Sequence, residues 1–180
     1  MEKTFEDSEI AKNLANYRLP RFEDLIKFDI FMNQLIAILD EYLSIFLVPD
    51  EAKYLTPSMI NNYVFKQVVE PPVQKKYSKY HIVYLLVIGI LKQVMSLADI
   101  TELLQMQTKQ YSIETAYDYF CTELEKAMHV VFEERDFAQI ERTQPTKTTP
   151  LTKTVRSAVL AFANHIYVKQ SIYYHKANNN

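Results

Sequence analysis

Ser58, Asn61, Asn62 and Lys66 stand three, four and eight positions apart in a segment that opens Thr56-Pro57. On an α-helix that spacing gathers them on one side. Their chemistry is that of hydrogen-bond donors and acceptors, not of nucleophiles. An asparagine amide matches the paired donor and acceptor on the major-groove edge of adenine, and hydroxyls and ammonium groups reach bases or phosphates. Thr56 joins the set at the helix start. Asparagine is a poor residue for a helix interior, so two in succession need a reason. Base reading supplies one; a merely solvated face is the alternative. Lys75, Lys76 and Lys79 follow closely and read either as phosphate contacts or as plain surface lysines.

Catalytic chemistry finds little to stand on. The chain has one glycine, Gly89, inside an apolar helical pattern. Phosphate-cradling loops, dinucleotide fingerprints and nucleophile elbows all need glycine where the backbone turns tightly or meets a ligand. His81, His129, His165 and His175 form no H-x-x-x-H pair, and the single cysteine, Cys121, excludes a cysteine-based zinc site. No catalytic residue, cofactor or metal site is therefore expected. Tyr111, Tyr117, Tyr119 and Phe120 could line a pocket for an unidentified small-molecule effector.

Charge is distributed in blocks. Residues 1–51 are acidic, and residues 52–93 hold six lysines against the single acid Glu70. Residues 94–142 are acidic again, and residues 143–180 contain no Asp or Glu. A basic block within a chain of net charge −2 suits a site-specific binder of a polyanion better than a general nucleic-acid coat. The start MEKTFEDSEI lacks an apolar signal core, and no apolar run reaches the length of a membrane span. The expectation is a cytoplasmic protein without membrane contact.

The elements that must hold these residues are mostly helices. Ser8 can cap a short helix to Tyr17, Pro20 keeps the next residues extended, and Asp29 can cap a helix reaching about Leu47. Thr56-Pro57 is a cap followed by a first-turn proline, opening a helix to about Lys66. Pro71-Pro72 breaks the chain over Gln67–Lys76, with Val68-Val69 and Val73 placed for two very short strands. Ser78 starts a long helix to Met95, in which Gly89 permits a close helix contact. Ser96 and Ser112 each start another helix, Arg142–Thr149 is a linker, and Thr149-Pro150 opens the last helix. Tyr167, Tyr173 and Tyr174 on that helix could pack across a dimer interface.

Read together, Leu55–Gln105 resembles the MerR-type winged helix-turn-helix. The matching residues are Thr56, Ile60 and Tyr63 in the helix, Val68, Pro71, Pro72, Lys76, Tyr77 and Ser78 in the wing, His81, Leu85 and Ile88 in the next helix, and Ser96, Leu97, Ile100, Leu103 and Leu104 beyond it. The A-x-x-x-G-V turn usual before the recognition helix is missing, and Asn61 stands where arginine is common. The phrases YRLPRFEDL, LTPSMINNYV, PPVQKKYSKYHI and LKQVMSLADI are also similar to a bacterial family named only as domain of unknown function 1836. Both resemblances imply a transcriptional regulator, most readily a repressor, bound to double-stranded DNA as a homodimer. Residues 57–66 would enter the major groove and the wing, residues 67–78, would lie on the backbone.

The expected fold class is mainly α, a winged helix-turn-helix with added N- and C-terminal helices and at most a two-stranded wing. The expected division is 1–106 for the N-terminal helices and DNA-binding part, and 107–180 for dimerisation or sensing. The competing expectation is a helical protein-interaction adaptor that binds no DNA, because fold does not fix function.

Overall fold

The computed structural model describes residues 4–134 and 149–178. The fold is mainly α. The helices are α1 (Glu9–Ala15), α2 (Met32–Leu43), α3 (Pro57–Phe65), α4 (Lys79–Leu91), α5 (Leu97–Thr108), α6 (Ile113–His129) and α7 (Pro150–Asn178). Among the described residues the only sheet joins two two-residue strands, β1 (Ile30–Phe31) and β2 (Lys76–Tyr77). No helix among them is long and apolar enough to cross a membrane. The linker expected over Arg142–Thr149 lies, up to residue 148, outside the described residues.

The predicted helix starts are present because each rests on local chemistry. Ser8, Thr56 and Ser96 accept the backbone N–H of Ala11, Met59 and Asp99 at 3.2, 3.3 and 3.1 Å. Ser112 and Thr149 do the same for Thr115 and Thr152, at 3.3 and 3.1 Å. Such a cap satisfies a donor that the helix itself leaves open. The helix expected from Asp29 starts later, at Met32, because Ile30 and Phe31 are drawn into β1.

The chain forms two compact units. One comprises Pro20–Asp118, the other Met1–Leu19 with Tyr119–Asn180.

In the Pro20–Asp118 unit, α4 is the central element. Residues 81–91 of α4 are all buried apart from Tyr84, so this helix has no polar face to show. The buried faces of α2 (Leu35, Leu39, Leu43), α3 (Ile60, Tyr63) and α5 (Ile100, Leu103) complete the core with Phe46, Leu55 and Tyr77. Gly89 has the packing role its position implied. A Cβ there would lie 2.9 Å from Leu43 Cδ1 and 3.2 Å from Leu55 Cδ1.

In the other unit, Phe5 is the hub of an aromatic cluster. Its ring lies 6.3 Å from Phe132, 5.5 Å from Tyr167 and 5.7 Å from Tyr174. The Tyr167 hydroxyl also donates to the Glu6 carboxylate at 2.6 Å. Two of the tyrosines considered for a dimer interface are thus engaged within the chain. Buried Glu123 pairs with Arg156 at 2.7 Å and Lys126 at 3.2 Å, and buried Glu125 accepts the Leu19 N–H at 3.3 Å.

Candidate nucleic-acid interface

α3 is a nine-residue helix whose two faces differ sharply. Ile60 and Tyr63 are buried and Met59 and Val64 half-buried, as the core face should be. Burial pushes the Tyr63 phenol above its ordinary value. Ser58, Asn61, Asn62 and the C-capping Lys66 are exposed together on the other side. Neither asparagine side chain has a hydrogen-bond partner among the described residues, so both amides present their full donor and acceptor set outward. Thr56 has a different place: it is half-buried and its hydroxyl oxygen is used in capping α3.

The exit from α3 explains why the wing departs from the predicted one. Gln67 follows the helix with φ 57°. Its N–H bonds Val64 O at 3.0 Å, and the Val68 N–H bonds Tyr63 O at 2.9 Å. These two bonds define a Schellman cap, which normally has glycine at the left-handed position. The Val69 N–H bonds the same Tyr63 carbonyl at 3.3 Å. Val68 and Val69, expected as a strand, therefore spend their donors on the helix end and cannot enter a ladder.

The strand pairing is instead long-range. β2 runs antiparallel to β1, with Ile30 opposite Tyr77 and Phe31 opposite Lys76. Before it, Val73 and Lys76 exchange backbone hydrogen bonds at 3.2 and 2.9 Å around Gln74 and Lys75. Those two residues have φ 50° and 63°. This is a two-residue hairpin turn with both central positions left-handed, a conformation usually assigned to Asn-Gly. Each non-glycine residue held there costs about 1 kcal/mol. Gln74, Lys75 and Lys76 are exposed at the tip, whereas Tyr77 is buried beneath it, as expected.

The four lysines are not equivalent. Lys66 and Lys75 are exposed and form no ion pair among the described residues. The Lys76 ammonium lies 5.5 Å from the centroid of the Phe31 ring, across the β1–β2 pair. Lys79 is half-buried with its ammonium 3.8 Å over the Phe22 ring, and its charge acts on the Glu114 carboxylate. Lys79 therefore serves the fold before it can serve a ligand.

Buried His81 joins the wing to α4. Its Nδ1 accepts the Ser78 N–H at 2.9 Å, and a backbone N–H can only donate. Nε2 must then carry the proton, which it donates to Glu70 O at 3.1 Å. The imidazole also meets the Tyr77 ring edge-on at 5.3 Å. The loop leaving α3, strand β2 and the start of α4 are thus held by one side chain.

Two exposed apolar residues at this surface were not anticipated. Phe65, 85% exposed, lies on the α3 face of Ser58 and Asn62, and Val73, 71% exposed, begins the tight turn. The position of Phe65, seven residues after Ser58 and three after Asn62, was the available signal. Among the described residues no group of three or more His, Cys, Asp or Glu could hold a metal ion.

A family model described as a domain of unknown function, DUF1836, matches residues 20–120. That span is nearly the compact unit Pro20–Asp118. No curated protein and no solved structure matches the chain.

Proposed function

The chain belongs to the DUF1836 family, whose description carries no activity, and we propose that it is a sequence-specific, double-stranded-DNA-binding transcriptional regulator rather than an enzyme. In this reading α3 is the recognition helix of a MerR-like winged helix-turn-helix, and the Val73–Lys76 turn is the tip of its wing. The carrying observation is the exposed face of α3: Ser58, Asn61, Asn62 and Lys66 lie together, without an acidic residue in the helix. Asn61 and Asn62 read base edges; Lys66, Lys75 and Lys76 contact phosphates. The strained turn supports the same reading, since left-handed non-glycine residues persist where the surroundings impose them and concentrate at functional sites. The protein acts as a homodimer on an inverted repeat, one α3 per half-site.

Electrophoretic binding across fragments of the source genome, the protein's own promoter included, tests this. A specific shift is expected that survives competitor DNA. Neutralising three phosphates per protomer predicts a slope of log K against log salt of about −5 for a dimer. Asn62→Ala should relax sequence preference, whereas Lys75→Ala should weaken all sequences alike. Absence of any preferred fragment at low salt would defeat the proposal.

Exposed Phe65 and Val73 favour a second reading, in which the same surface docks a protein partner. Phe65→Ser separates the two. Loss of a nuclease-resistant complex with DNA binding intact supports the adaptor.

A further inference from the structure

Beside the wing lies a cleft of about 530 Å³ lined by Val69, Glu70, Ser78, Tyr80, His81, Tyr84, Ile113 and Glu114. All eight belong to the Pro20–Asp118 unit. The aromatic group considered earlier for an effector pocket, Tyr111, Tyr117, Tyr119 and Phe120, contributes none of them. A volume of this size, with mostly apolar walls and a few convergent polar groups, is typical of a small-molecule site.

We propose that this cleft binds a small organic cation carrying an aromatic or comparably apolar body. The sign of the ligand's charge follows from the lining. It includes two acidic residues, Glu70 and Glu114, whose charges act on Tyr84 and Tyr80 respectively, and no lysine or arginine. Glu114 is held below the usual carboxylate range by a hydrogen bond from its own backbone, then by Ser112 and by the Tyr80 hydroxyl, which donates at 3.0 Å. It is therefore ionised at neutral pH. Lys79, the cation closest in sequence, is turned onto the Phe22 ring and does not line the cleft.

Three of the donors that could serve an anion are already committed, while the Tyr84 hydroxyl forms no hydrogen bond among the described residues. The Tyr80 O–H is given to Glu114, and the His81 Nε2–H to the Glu70 carbonyl. The Ser78 N–H is given to His81 Nδ1. What remains facing a ligand is mainly acceptors and apolar surface: the two carboxylates, the Tyr80 and Tyr84 rings, Val69 and Ile113. Carboxylates beside aromatic rings are the combination that attracts an ammonium group, through Coulomb and cation–π terms together. An anion would meet two like charges.

This assignment does not depend on DNA binding. Glu70 lies on the segment between α3 and the hairpin turn, and its carbonyl is the anchor for His81.

The chain contains no tryptophan, so the emission of an indole probe reports its own binding without background from a protein indole. Three probes of nearly one shape differ in charge: tryptamine, tryptophol and indole-3-acetate. Titrated with the full chain, tryptamine should saturate, tryptophol should bind about fivefold or more weakly, and indole-3-acetate should not bind. Glu114→Gln and Glu70→Gln should each weaken tryptamine about fivefold and leave tryptophol unchanged. Amide chemical-shift changes with tryptamine should centre on residues 69–70, 78–84 and 113–114. Equal binding of the anion, indifference to both substitutions, shifts centred elsewhere, or no saturable tryptamine binding would each overturn the assignment. Failure to shift DNA would not touch it.

Discussion

Replacing Gly89 by alanine would put a methyl group 2.9 Å from Leu43 Cδ1 and 3.2 Å from Leu55 Cδ1. Two effects then oppose one another. Alanine favours a helix interior over glycine by about 1 kcal/mol. Extra volume in a close-packed core costs about 1–3 kcal/mol when neighbours must leave their preferred rotamers. Both contacts are to the ends of leucine side chains, which can shift, but Leu43 and Leu55 are each only 2% exposed and have little room to move into. The steric effect should prevail, leaving Gly89→Ala less stable by about 1 kcal/mol and Gly89→Val by about 3 kcal/mol. Urea unfolding followed by circular dichroism at 222 nm gives the global value. Hydrogen exchange of the α4 amides gives the value for the unit that contains Gly89. Trimming the contact should restore what was lost, so Gly89→Ala and Leu43→Ala should couple favourably in a double-mutant cycle. A Gly89→Ala protein more stable than the parent would refute the reasoning, because propensity would then outweigh any close approach between helices.

Gln67→Gly and Gln74→Gly should each raise stability by about 0.5–1 kcal/mol, because both positions have left-handed backbone; a lowered urea midpoint would show that the glutamine side chains have another structural use. Gln107, 8% exposed, has its side-chain amide nitrogen buried without a hydrogen-bond partner among the described residues, so Gln107→Met should stabilise by about 1 kcal/mol, and a lowered midpoint would mean that the amide is satisfied in solution. Burial first, and the Glu51 carboxylate second, push the Tyr54 phenol far above its ordinary value of 10.0. Burial also raises Tyr63, Tyr77 and Tyr84. The unfolded chain ionises these phenols near 10 while the fold keeps their protons, so the stability is complete below pH 10 and falls as pH rises beyond it. Absorbance at 295 nm and helicity should therefore change together above that pH; full tyrosine ionisation near pH 10 with helicity intact would contradict it.

Residue types and spacing alone determined the helix starts other than that of α2, the two faces of α3 and the exposure of Ser58, Asn61 and Asn62. Each depends on chemistry within one helical turn: a hydroxyl three residues before a free N–H, a proline where no donor is needed, apolar positions at helical steps. The all-round burial of α4 follows from an apolar run from Ile82 with hardly a polar residue, which has nowhere else to go. What the local pattern could not decide was anything set by distant partners. β2 is paired with Ile30–Phe31, a strand of two residues separated from it by two helices, and no periodicity marks so short an element. The valines that looked like strand were diverted because Tyr63 O accepts from both of them, through a cap formed at a glutamine. The left-handed positions Gln67, Gln74 and Lys75 went unrecognised because their usual sign is glycine. The same non-local packing turned Lys79 inward onto Phe22 while leaving Lys66 and Lys75 exposed, and it enclosed Tyr80, Tyr84, Glu70 and Glu114 around one cleft. Hydrogen bonds and ring contacts between residues far apart in the chain have no local sequence signature, which is why only the tertiary structure decided which of the charged side chains were available to a ligand.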